Sequence, residues 1–236
     1  MLKLGKKMSS LNNNRLNVTF VGGSVARRLG EAAERLGPFN VINKAVSGGG
    51  LLMPSEDGMR HCKLIDLNQF KNEKNLVIQV GGNDFFAHSK EGKHITTLKI
   101  FKDKYSQSHF NDAIQEFLRN FTGGSVWFVG LFPRYLHECC DKHLDERNKK
   151  KGLDLVSYVN IAIQKQVHFY NKKIGKSIFF LNPQLLHGME NKAALSMDNI
   201  HLTDDANNLC AKKIISCIET ENKKQAFSES NILLEL

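Results

Sequence analysis

Five short apolar runs, separated by stretches of helical periodicity, constrain this chain more than any other feature. They are "LNVTFV" (16–21), "FNVIN" (39–43), "NLVIQV" (75–80), "SVWFVG" (125–130) and "SIFFLN" (177–182). Each is β-branched or aromatic and nearly continuous in its apolar character, as strands covered on both faces must be. Between them, 24–37, 108–121, 155–175 and 203–222 carry apolar residues at helical spacing. Strand and helix in alternation predict a parallel sheet, and right-handed crossovers place helices on both of its faces. The expected fold is therefore α/β, a three-layer α/β/α sandwich around a five-stranded parallel, flavodoxin-like sheet. The polar segments 85–104 and 131–154 follow the third and fourth strands and read as irregular insertions, at the sheet edge where α/β proteins build their sites.

At 236 residues, with four prolines, the chain suits one domain. We divide it into a basic and polar extension (1–14), a core domain (15–222) and a polar tail (223–236) that frays or docks. No window reaches the roughly 18 apolar residues of a membrane span. The start lacks the apolar stretch of a secretory signal, so an intracellular protein, cytoplasmic or nuclear, is expected. Five scattered cysteines do not form a disulfide framework; Cys210 and Cys217, seven apart among apolar neighbours, read as small core residues. The formal charge is +9, concentrated in Lys3–Lys7, Arg147–Lys151 and the pairs Lys212/Lys213 and Lys223/Lys224. Such a balance suits a nucleic acid or an anionic membrane surface, or is a solvated basic face.

Four motifs fall in loops after predicted strands or before the last helix. In "VGGS", Ser24 sits at a strand-to-helix turn, either as an N-cap or as an exposed hydroxyl at a helix N-terminus. "NKAVSGGGL" (43–51) has glycines that let backbone N–H groups approach a ligand, or make a plain turn. "QVGGNDF" (79–85) offers the Asn83 amide as an oxyanion donor, or a glycine-asparagine turn. "DNIH" (198–201) spaces Asp198 and His201 so that one turn can join carboxylate and imidazole. Thr203 then caps the last helix, with Asp204 and Asp205 in its first turn.

Taken in order, these motifs resemble the four blocks of the SGNH hydrolases, the GDSL esterase and lipase superfamily. The blocks are Gly22-Gly23-Ser24, Ser47-Gly48, Gly81-Gly82-Asn83-Asp84 and Asp198-Asn199-Ile200-His201, and the resemblance covers roughly 15–220. It implies a serine esterase or acyl hydrolase acting on acetyl or lipid esters, without metal or cofactor. Ser24 would be the nucleophile, His201 the base and Asp198 its orienting acid. The Ser24 and Gly48 N–H groups and the Asn83 side chain would form the oxyanion hole. The first block departs from the family's Gly-Asp-Ser, with Gly23 where an aspartate scaffolds the turn. Loss of that scaffold implies a looser turn, and a Gly23→Asp variant is expected to hydrolyse short esters better.

Phe85 and Phe86 can wall an acyl pocket, or serve as core aromatics beneath the loop. His137, Cys139, Cys140 and His143 lie close together, but adjacent cysteines chelate one ion poorly, so no metal site is assigned. The Pro133-Arg134-Tyr135 segment with Cys139-Cys140 and His143 resembles the esterase domains of some non-LTR retrotransposon first open reading frames. The altered first block and the charge of +9 leave an alternative: a weakly active or inactive module of this fold that binds RNA or protein.

Overall fold

The computed structural model describes residues 15–37, 39–52, 63–88, 94–96, 104–132, 146–174, 177–183 and 201–234. Their framework is a five-stranded parallel sheet of β1 (Leu16–Gly22), β2 (Phe39–Asn43), β5 (Asn75–Gln79), β8 (Ser125–Val129) and β9 (Ser177–Leu181). The strands stand in the order β2-β1-β5-β8-β9 and all pair parallel. Taken in sequence order the five are arranged 2-1-3-4-5, the flavodoxin-like winding. All five expected strands form, each ending within one residue of its apolar run.

Alternation along the strands sends side chains to two cores. Val18, Phe20, Val77, Trp127 and Val129 pack under α1 (Ser24–Arg35) and the final helix, α5 (Asp204–Leu234). Val21, Leu76, Ile78, Val126, Phe128 and Ile178 pack under the other two long helices. These are α3 (Lys104–Asn120) and α4 (Glu146–Ile174). A single turn, α2 (Gly82–Phe85), follows β5. Each wholly buried large apolar side chain stabilises the sandwich by about 1.5–3 kcal/mol.

Four features go beyond the sequence reading. Part of the first insertion is a hairpin, β6 (Phe86–His88) against β7 (His94–Thr96). Short parallel strands β3 (Gly49–Gly50) and β4 (Lys63–Leu64) pair beside the glycine loop. Segment 131–154 is not wholly irregular, because α4 begins at Glu146, and α5 does not stop at 222 but continues to Leu234. Asp198, the 133–143 segment, the 1–14 extension and the side chain of Phe86 lie outside the described residues. Among the described residues, no helix is long and apolar enough to cross a membrane.

Candidate active site

In an open α/β sheet a crevice forms at the carboxyl edge where the strand order reverses. Here that point lies between β1 and β5, the first leading into Ser24 and the second into Asn83. Backbones approach closely there. Gly22 has φ +142°, and a Cβ on it would lie 2.0 Å from the Gln79 carbonyl oxygen. Only glycine fits at such a junction.

Ser24 is the first residue of α1, and the cap position is Gly23, which makes no side-chain capping bond. The hydroxyl is therefore not spent on starting the helix. It lies 2.7 Å from His201 Nε2, across 177 residues of sequence. With the imidazole proton on Nδ1, the hydroxyl donates to Nε2, the orientation required of a base that takes the serine proton.

The first residues of α5 and the two before it hold His201 in place. The Leu202 side chain is 1% exposed and belongs to the α1/α5 core. Asn207, also 1% exposed, donates from Nδ2 to the carbonyl oxygens of Leu202 (3.1 Å) and Thr203 (3.0 Å). Thr203 caps α5 as expected, its Oγ1 accepting from the Ala206 N–H at 3.3 Å. His201 thus precedes a capped, doubly fastened helix start.

Of the oxyanion candidates, Ser24 and Asn83 line one crevice of about 10 Å³ together with Gly49, room for a single water-sized group, and Gly48 is not among its lining residues. Asn83 donates from Nδ2 to the Gly49 carbonyl at 2.8 Å. Gly48 sits at φ +80°; Gly49 N–H bonds to Val46 O and Lys63 N–H to Gly48 O, and the Gly48 N–H has no backbone partner among the described residues.

Sequence reasoning missed Asp84. Its carboxylate is fully buried and accepts from the N–H groups of Leu51 (2.6 Å), Leu52 (2.8 Å) and Gly81 (2.9 Å). A charge can be buried when hydrogen bonds satisfy it this completely. Asp84 thereby ties the glycine loop to the Asn83 turn, and its place directly after Asn83 was the available signal.

Phe85 is 2% exposed and meets Phe110 edge-on, with ring centroids 5.0 Å apart. Its other neighbour is a cavity of about 230 Å³ between α3 and α4. Cys210 and Cys217 are free thiols of the α1/α5 core, as the sequence implied. Burial pushes the Cys210 thiol up to about 12, partly offset by the nearby Lys213 cation. No group of three potential metal ligands occurs among the described residues.

Comparison with protein-family models and with curated proteins gives no match. Solved structures do match. One is a candidate platelet activating factor from Streptococcus pneumonia: TM-score 0.54, 15% identity, 88% of this chain and 86% of that one covered. A second is the catalytic domain of peptidoglycan O-acetyltransferase A from Streptococcus pneumoniae (TM-score 0.51, 12% identity, 89% and 96% covered). A third is a salicylyl-acyltransferase of a tetracycline biosynthetic pathway (TM-score 0.52, 11% identity), where 84% of this chain covers only 52% of that longer protein. At these identities the likeness speaks to architecture alone. The chain shares with these structures an α/β fold built around a five-stranded parallel sheet.

Proposed function

We propose that this protein is a serine ester hydrolase. The observation that carries the reading is the 2.7 Å contact between Ser24 Oγ and His201 Nε2 at the sheet's switch point. In the proposed cycle Ser24 attacks the ester carbonyl while His201 takes its proton, then returns it to the leaving alcohol. Asp198 orients His201. The tetrahedral oxyanion is held by the Ser24 and Gly48 N–H groups and the Asn83 amide, each preorganised donor contributing about 3 kcal/mol to the transition state. Water then enters, and the same base activates it to release the acid. No step calls on a metal or cofactor. The named activities of the neighbours, acyl transfer among them, are compatible with an acyl-serine intermediate.

The substrate class is a short acyl or lipid ester. Hydrolysis of p-nitrophenyl acetate and butyrate by parent, Ser24→Ala and His201→Ala proteins tests this. Each variant is expected to lose at least about 10³-fold in kcat with its fold intact. Retained turnover in Ser24→Ala would refute the reading.

The formal charge of +9 supports a second reading, an RNA- or protein-binding module. RNA affinity that falls steeply between low and moderate salt, with no turnover on esters, would favour it.

A further inference from the structure

The crevice at Ser24 has room for little more than one oxygen atom, about 10 Å³. A larger space lies among the described residues between α3 and α4, a cavity of about 230 Å³. That is somewhat below the roughly 300 Å³ at which pockets for drug-sized ligands begin, so it suits a smaller molecule. The one-turn helix α2 bridges the two spaces: Asn83 lines the crevice and Phe85 lines the cavity.

The cavity has three kinds of lining. Phe85, Phe110 and Val159 are nearly inaccessible and back the cavity, while Tyr158 (56% exposed) and Ile161 (43% exposed) supply its accessible apolar wall. Asn111 Oδ1 is buried without a hydrogen-bond partner. Lys165, on the exposed side of α4, has no acidic partner among the described residues. A buried amide oxygen left unpaired costs free energy that a ligand donor recovers. An unpaired ammonium beside an apolar surface favours an anion that can share that surface. A hydroxyl is the group that satisfies Asn111 whichever way its amide is turned, because it donates and accepts.

We propose that this cavity is a binding site for a medium-chain hydroxycarboxylate. The chain lies against Tyr158 and Ile161, the hydroxyl meets the Asn111 amide, and the carboxylate meets Lys165 Nζ. The site stands on the cavity and its polar groups alone, and holds whether or not Ser24 is a nucleophile.

The test is isothermal titration of the full chain, in parent and Ser24→Ala forms, with 3-hydroxyoctanoate, octanoate and 1,3-octanediol. 3-Hydroxyoctanoate is expected to bind both forms equally. Octanoate, lacking the hydroxyl, should bind about fivefold more weakly, and the uncharged diol about tenfold more weakly. Lys165→Met should abolish the preference for the acid over the diol. Ala162→Phe, which puts a ring into the cavity from α4, should remove binding of all three without changing the melting temperature. No detectable binding of 3-hydroxyoctanoate at millimolar concentration would overturn the proposal. So would equal affinity for the acid and the diol, or binding that survives Ala162→Phe.

Discussion

Gly23 has φ −83° and ψ −161°, extended backbone open to any residue, so its missing side chain is a matter of space. A Cβ there would lie 2.7 Å from Asn83 Nδ2 and 3.2 Å from the Gly49 carbonyl. The Asn83 amide occupies the room that a side chain at 23 would need. The sequence suggested a turn loosened by the loss of an aspartate. Instead, the buried Asp84 carboxylate braces the neighbouring loops through three backbone N–H bonds. Gly23→Asp therefore carries no expectation of improvement. Under the proposed mechanism, Gly23→Ala turns Asn83 away from the crevice and lowers kcat on short esters about 10- to 100-fold, since an oxyanion donor is misplaced. The melting temperature should stay within a few degrees, because the displaced atom is the end of a side chain. Unchanged kcat in Gly23→Ala would remove Asn83 from the oxyanion hole.

At the scale of elements, α1 brings the serine and α5 the histidine, and their packing in one core sets the 2.7 Å contact. Asn207 fixes where α5 begins relative to His201. Replacing it with leucine keeps the branched shape but drops both bonds to the Leu202 and Thr203 carbonyls. The expected result is a roughly tenfold lower kcat with KM unchanged, measured on the same esters; a change confined to KM would contradict a positioning role. Cys210 tests the burial of the same helix. Its thiol stays neutral in the folded state up to about 12 against 9.0 when free, so its contribution to stability is complete below pH 9 and is lost as pH rises toward 12. Iodoacetamide at pH 8 should leave Cys210 unmodified in the native protein and alkylate it in urea. Native labelling would mean that α5 opens from the core.

The elements also show what a single sequence carries. Strands covered on both faces announce themselves by composition, and so β1, β2, β5, β8 and β9 were legible. The first turns of α4, "ERNKKKGLD", carry charge all round and no apolar stripe, and so read as loop. The last turns of α5, "KKQAFSESNILL", open on a polar run that reads as a tail. The Asp84 and Asn207 bonds reach backbone groups with no pattern to advertise them, and Asp84 joins segments more than thirty residues apart.

For the whole molecule, the order of strands does the organising. Because β1 and β5 are neighbours while their crossovers leave to opposite faces, the loops bearing Ser24 and Asn83 meet at one crevice. The start of α5 then brings His201 to the same edge. The four motifs were legible in order, but their meeting depended on this winding, which periodicity implies and only the assembled sheet displays.

The central claim is that Ser24 is a nucleophile activated by His201. Intact-mass analysis after exposure to a fluorophosphonate, with peptide mapping of the adduct, addresses it most directly. One stoichiometric adduct on Ser24, absent from Ser24→Ala and slowed at least about 100-fold in His201→Ala, is the predicted result. An unmodified parent protein, or an adduct of equal yield in Ser24→Ala, would contradict it.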